Sequence, residues 1–383
     1  MKTIIYLLLI STTLLSCKSY KLYNSQQIRL KTTGSESFEI EKGKMLIAAQ
    51  LDGNPGRFVF DTGASGSLIT DTLVLSDFYR KEKSSFGNIQ DAQRNTINKV
   101  DFLVDFENGL MSASPKLFSY FQMSDQQVFE CSEKSSLAKS QGIVGMDFFT
   151  WNKDRSSLLL DFTNRKLLNL ERDKQQSLID EGFKKIKSTF SILNQIYIHL
   201  NINNKEYKLT FDTGNNSTIV LPYSENENFT NLVPYEVIGN TYFSLSGMSA
   251  DKRTQFYPDV DVRTDVGNFK TSVQVTENLH IYNVGLGFIQ SFDWIIDFED
   301  KEIYYRKNNT ELSSHIPKIN VGCLAMDGKL KIILLGGVYK DKYKLGDEIT
   351  HVNQQKVTPE NICEMQKLLN ETKDWSTLHI EIE

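Results

Sequence analysis

From about residue 38 onward, apolar residues recur at every second position in short runs, and the runs are separated by clusters of Gly, Asn, Asp and Pro. That period of two predicts half-buried β-strands rather than helices. Lys44-Met45-Leu46-Ile47-Ala48-Ala49 and Ile196-Tyr197-Ile198-His199-Leu200 are two such runs. Each leads through a short polar turn, Asp52-Gly53-Asn54-Pro55-Gly56 or Asn203-Asn204-Lys205, into a second apolar strand, so both pairs read as β-hairpins. The many Tyr and Phe residues fall at alternating positions in these runs, which fits a predominantly all-β chain. Two stretches break the rhythm: residues 18–37 are polar without periodicity and read as a tether, and residues 171–185 are charged and read as a linker or a short surface helix.

The β pattern is written twice. Phe58-Val59-Phe60-Asp61-Thr62-Gly63-Ala64-Ser65 returns as Leu209-Thr210-Phe211-Asp212-Thr213-Gly214-Asn215-Asn216. Gly142-Ile143-Val144-Gly145-Met146-Asp147-Phe148-Phe149 is echoed by Val284-Gly285-Leu286-Gly287-Phe288-Ile289. Each echo precedes a strand with an acidic turn, Leu158-Leu159-Leu160-Asp161-Phe162 and Ile295-Ile296-Asp297-Phe298-Glu299. Three words in one order define two copies of one unit, spanning residues 38–170 and 186–306. The last stretch, 318–383, differs. It combines the strand-like Lys329-Leu330-Lys331-Ile332-Ile333-Leu334, a helix with Thr358 as N-cap, Pro359 at its first position and Ile362, Met365, Leu368 and Leu369 at helical spacing, and a closing strand Leu378-His379-Ile380-Glu381-Ile382. A small α+β third domain is expected there.

The N-terminus reads as an address. After Lys2, Ile4 to Leu15 form an apolar run too short to span a bilayer as a helix, and the run ends in Leu14-Leu15-Ser16-Cys17. That ending resembles the bacterial lipobox. The resemblance implies that residues 1–17 are a signal peptide with its lipobox, that Cys17 carries the lipid, and that the protein is anchored in the cell envelope. A formal charge of −5 argues against nucleic acid as a partner. Three cysteines remain, Cys131, Cys323 and Cys363, without CxxC spacing, so neither a disulfide framework nor a zinc site is indicated. The five histidines are scattered, and no metal or other cofactor is expected.

The two Asp-Thr-Gly words carry the candidate chemistry. An apolar strand followed by a tight Gly turn delivers an Asp to the mouth of the turn. One such Asp is an ordinary turn carboxylate, with a pKa of about 4. Two brought together cannot both ionise and share a proton, so one can act as base on a water while the other protonates a carbonyl oxygen. Asp61 and Asp212 are therefore the candidate catalytic pair. The copies differ after the second Gly, where Asn215 stands opposite Ala64. An Asn215 amide can donate to the outer oxygen of Asp212, as Ala64 cannot do for Asp61, and that asymmetry would bias Asp61 to hold the proton. It could equally mark a second lobe drifting away from catalysis.

These words resemble the aspartic proteases, pepsin-like and retropepsin-like, and especially the bacterial two-lobe aspartic protease family. The resemblance rests on Asp61-Thr62-Gly63-Ala64-Ser65, Asp212-Thr213-Gly214 and the Gly words ending 84 residues after Asp61, at Gly145, and 75 after Asp212, at Gly287. It implies two β-barrel lobes in one chain acting as a monomer, with an extended polypeptide as substrate. It also implies that Thr62 and Thr213 cross-brace the two loops, and that Gly63 and Gly214 let backbone amides approach the carboxylates. Flaps would close over the substrate, with Gly87 and Gly247 as the candidate tips. Leu345-Gly346-Asp347-Glu348-Ile349 with Val352-Asn353 resembles a PDZ-domain word, with Gln354 where Gly is usual. This implies that the third domain captures a peptide by strand addition and tethers long substrates. The alternative is a catalytically inactive, lipid-anchored scaffold that binds peptide in the same cleft. Retention of both Asp and both Thr favours the enzyme.

Overall fold

The computed structural model describes residues 20–75, 77, 80–85, 88–91, 94–121, 131, 140–150, 157–192, 195–241, 243–244, 247–248, 252–277, 279–314, 320–372 and 374–383. The signal and lipobox positions 1–17, including Cys17, lie outside these residues, as does Gly87. Among the described residues no helix is long and apolar enough to cross a membrane.

Both predicted hairpins form. Lys44–Leu51 pairs with Asn54–Phe60, and Ile196–Ile202 with Lys205–Asp212. Their two-residue turns, Asp52-Gly53 and Asn203-Asn204, have positive φ at both positions, the geometry that matches strand twist. Each hairpin starts a closed barrel. In the first lobe the order continues through Gly142–Val144, Leu68–Ile69, Met111–Tyr120 and Val100–Glu107. Gln50 and Leu51 then pair with Glu107 and Phe106 to close the ring. The second lobe repeats this with Asn283–Gly285, Ile219–Pro222, Gly267–Thr276 and Lys252–Thr264, closing where Asn201 and Ile202 meet Arg263 and Val262. The fold is thus predominantly β, in two duplicated barrel lobes.

The third repeated word joins the lobes. Ser157–Asp161 pairs antiparallel with Phe292–Asp297, with Leu158 opposite Ile296 and Leu159 opposite Ile295. The two copies of one sequence therefore face each other across a pseudo-twofold axis, at the centre of a six-stranded sheet shared by both lobes. Phe292–Asp297 is buried at all six positions, because this strand is covered on both faces. Phe149 stacks on Phe298 across the lobe boundary at 4.8 Å. One apolar core runs through both lobes.

Three expectations change here, and the open alternative for residues 171–185 is decided for the helix. Residues 20–37 are no free tether: Ile28–Leu30 pairs with Met111–Ala113, and Ser35–Glu41 joins the shared sheet. The segment 171–185 contains the helix Arg172–Asp180, held because buried Gln175 bonds both Ser157 and Asp297. A disulfide does form, between Cys131 and Cys363, which are 232 residues apart in sequence, so spacing could not announce it. The C-terminal helix spans Ile362–Glu371 with Asn361 as its cap residue. Thr358 supplies its carbonyl to Ile362 N rather than its side chain as a cap.

The C-terminal module forms the expected strands and helix around its own core of Ile332, Ile349, Met365, Leu369 and Trp375. It is not free-standing. Its strand Lys329–Gly336 pairs with Tyr235–Gly239 of the second lobe, with Val237 opposite Gly336 and Gly239 opposite Leu334, so one sheet runs through both. The edge that a captured peptide would use is already occupied. Along the strand Val321–Met326, Cys323 N donates to Asn370 Oδ1 at 2.9 Å and Ala325 N to Gln366 Oε1 at 2.6 Å, while Asn370 Nδ2 donates back to Cys323 O at 3.0 Å. Strand addition needs those backbone groups free. The expected PDZ-like peptide capture is corrected accordingly: the helix caps its own edge strand, and the module is a docking block on the second lobe.

Candidate active site

Each Asp-Thr-Gly loop follows the second strand of its hairpin. A strand from the far end of the lobe lies parallel beneath it, Gly142–Val144 along Phe58 to Phe60 and Asn283–Gly285 along Thr210 to Asp212. A Cβ on Gly145 would sit 2.5 Å from Gly66 O and 2.8 Å from Ala64 O. One on Gly285 would sit 2.3 Å from Ser217 O and 2.7 Å from Asn215 O. The partner of Gly145 is therefore Gly285, two residues before the expected Gly287. The register is fixed by this close passage under the loop, which the letters of the sequence do not display.

Thr62 and Thr213 lock the two loops together in a symmetric, fully buried cross. Thr62 Oγ1 donates to Phe211 O at 2.8 Å and accepts from Thr213 N at 3.0 Å. Thr213 Oγ1 donates to Phe60 O at 2.7 Å and accepts from Thr62 N at 3.0 Å. That cross sets Asp61 and Asp212 side by side, close enough that burial and the charge of one raise the proton affinity of the other. A Cβ on Gly63 would lie 2.5 Å from the Asp212 carboxyl carbon, and one on Gly214 2.3 Å from Asp61 Oδ2, so only glycine fits opposite each carboxyl.

Backbone amides cradle both acids alike. Asp61 Oδ1 accepts from Gly63 N at 2.8 Å and Ala64 N at 3.1 Å; Asp212 Oδ1 accepts from Gly214 N at 2.9 Å and Asn215 N at 3.1 Å. The expected side-chain bond from Asn215 to Asp212 is absent, since Asn215 Oδ1 turns back to accept from Ser217 N at 2.8 Å. The outer oxygen of Asp212 is held by a different residue. Asn283 Nδ2 donates to Asp212 Oδ2 at 2.6 Å. Pairing register makes Ile143 its counterpart in the first lobe, since Ile143 lies opposite Val59 as Asn283 lies opposite Thr210. The signal was present in the repeat, visible once Asn283-Val284-Gly285 is set against Ile143-Val144-Gly145.

A cation also stands at the site. Lys44, at the start of the first hairpin, donates from Nζ to Gly214 O at 2.5 Å. Burial, the neighbouring Asp212 charge and the bond to Asp212 push the Asp61 carboxyl up to about 8, while Lys44 and the Gly63 amide pull it partly back. The pair thus holds on to a shared proton well above the usual carboxylate range. Of the flap candidates, Gly247 lies in the small hairpin of Phe243–Ser244 and Gly247–Met248, with φ of 109°. The strand beyond Gly87, Asn88–Gln90, pairs with Thr96–Asn98.

No protein-family model and no curated protein matches the chain. Among solved structures it is similar to basic 7S globulin from soybean, at 10% identity and a TM-score of 0.42, over 76% of this chain and 100% of that one. It is also similar to conglutin gamma, a basic 7S globulin from lupine seeds, at 12% identity and a TM-score of 0.42, over 72% of this chain and 95% of that one. The assignment to a bacterial two-lobe aspartic protease family with a PDZ-like domain is corrected: no family model matches the chain to support it. At such identity and overlap, no role passes from those globulins to this chain.

Proposed function

We propose that the chain hydrolyses peptide bonds in extended polypeptide with the Asp61/Asp212 pair. The observation that carries this reading is the pair itself: two facing carboxyls, each cradled by two backbone amides, on loops locked together by Thr62 and Thr213, with burial and mutual charge raising the proton affinity of the pair. Such a pair offers a base for water and an acid for the carbonyl oxygen at once. Purified protein incubated with a denatured protein mixture, with and without a statine-type inhibitor, tests it. Inhibitor-sensitive fragments are expected, and none at any pH between 3 and 8 would end the proposal.

A second reading is a frame that binds peptide without cutting it. It is favoured by the saturation of Asp212: Oδ1 takes two amides and Oδ2 takes Asn283, which leaves fewer lone pairs for a water than at Asp61. In that case inhibitor binds while no fragments form.

The raised Asp61 proton affinity gives a pH dependence with a definite sign. Activity is expected to fall as pH rises through about 8, where the shared proton is lost. The same group contributes stability at low pH that declines as the pH climbs from the ordinary aspartate value towards 8. A pH–kcat/KM profile whose alkaline limb lies near 5 would contradict the protonated Asp61. For the location, a Cys17 lipid anchor in the cell envelope is proposed from the lipobox word. Cys17→Ser is expected to release the protein from membranes or leave its leader uncleaved, and unchanged fractionation with normal maturation would exclude the anchor.

A further inference from the structure

Around the carboxyl pair the two lobes depart from each other at several positions, Asn215 for Ala64 among them, and two of the departures put a side-chain donor onto the second loop. Where the first lobe has Ile143, packed among Leu46, Val59, Leu68 and Phe121, the second has Asn283. The hairpin register sets Lys44 of the first lobe against Gln195 of the second, since Leu46 pairs with Val59 as Tyr197 pairs with Thr210. Gln195 accepts from the Tyr197 hydroxyl at 2.9 Å, whereas Lys44 bonds Gly214 O in the Asp212 loop. Asn283 and Lys44 therefore both attach to the second loop, and among the described residues the equivalent positions, Ile143 and Gln195, make no such bond to the first.

Asn283 is 3% exposed, and its Oδ1 has no partner among the described residues. An aliphatic residue such as Ile143 would serve packing better there, because a buried amide with an unmet acceptor costs stability. What the amide adds is the 2.6 Å bond to Asp212 Oδ2. A donor on a carboxylate oxygen favours the ionised form.

We propose that Asn283 is a positioning residue that holds Asp212 as the carboxylate, so that the shared proton resides on Asp61 and the two acids have fixed roles. This rests on the peptidase reading and assigns its steps. Asp212 takes a proton from water as the water oxygen bonds the carbonyl carbon. The carbonyl π electrons move to its oxygen, which receives the Asp61 proton, giving a neutral gem-diol. Asp212 then returns its proton to the amide nitrogen as the carbon–nitrogen bond breaks. Asp61 regains a proton from a gem-diol hydroxyl as the new carboxylic acid forms. Among the described residues the titratable and charged groups at the pair are Asp61, Asp212 and Lys44; the remaining contacts, from Gly63, Ala64, Gly214, Asn215 and Asn283, are neutral amides.

The test is Asn283→Leu, with Asn283→Thr as a smaller change that keeps a donor in reach. The acid limb of the pH–kcat/KM profile is expected to move up by about one unit in the Leu variant and less in the Thr variant. KM should stay within about twofold, since the change acts on proton position and not on substrate contacts. A ¹³C-carboxyl titration of aspartate-labelled protein should show the lower-titrating member of the pair moving up with it. Active wild type with an acid limb and a carboxyl titration that do not move in either variant would overturn the role of Asn283 and leave the peptidase reading standing. Wild type without activity, whose carboxyl titration still moves in the variants, would remove the peptidase reading and support the placement of the proton. If the Leu variant fails to fold, Asn283→Ala, which removes the same donor with a smaller side chain, decides by the same two measurements.

Discussion

Asp61→Asn and Asp212→Asn are each expected to lower kcat for peptide hydrolysis by roughly 10⁴-fold, to similar extents, with little change in KM. The two side chains serve halves of one proton relay, so losing either stops the step that the other completes. The substitution is mild for the fold. An amide oxygen can still accept from Gly63 N and Ala64 N, or from Gly214 N and Asn215 N. Near-unchanged thermal unfolding alongside lost turnover is therefore the expected signature. If Asp212→Asn kept most of the activity, the second lobe would be structural and the shared-proton mechanism would fall.

Removing residues 318–383 is expected to reduce kcat/KM on a protein and on a short peptide by the same factor. The sequence reading expects a selective loss on long substrates, through tethering, and the structure reverses it. The groove is filled by Asn370 and Gln366, so there is nothing to tether with. Deletion instead strips the strand Tyr235–Gly239 of one of its two partner strands, leaving Lys252–Thr264, and uncovers Ile238. Burial of one such side chain is worth roughly 2 kcal/mol, and the lost backbone pairing adds to this, so a fall of about 5 °C in Tm is expected. That strand leads into the hairpin carrying Gly247, so disturbance there reaches every substrate alike. The truncated protein should carry Cys131→Ser, since its disulfide partner Cys363 is removed with the module. A loss confined to the protein substrate would restore the tethering idea.

Much of the site was legible in the sequence because its chemistry is short-range. Asp, Thr and Gly stand next to one another, and repetition of the word makes the pair visible without knowing any contact. Asn283 was not legible, because it lies 71 residues from Asp212 and belongs to a strand whose register only the close passage of Gly285 under Asn215 O and Ser217 O defines. Lys44 was hidden for the same reason. It stands in the first lobe but bonds the loop of the second, 170 residues away.

The sequence by itself determined the strands, the hairpins, the duplication and the two catalytic candidates. Period-two patterning and positive-φ turn residues act between near neighbours, and a repeated word is evidence independent of geometry. Only the tertiary structure decided what edges and partners do. The free-looking strand of the C-terminal module is capped by its own helix, and the polar stretch at 20–37 supplies strands to the first lobe. Cys131 finds Cys363 across 232 residues. Each of these depends on which backbone or side-chain group meets another at long range, and local pattern is silent on that, because the same polar residue can face water, cap a strand or hold a carboxylate.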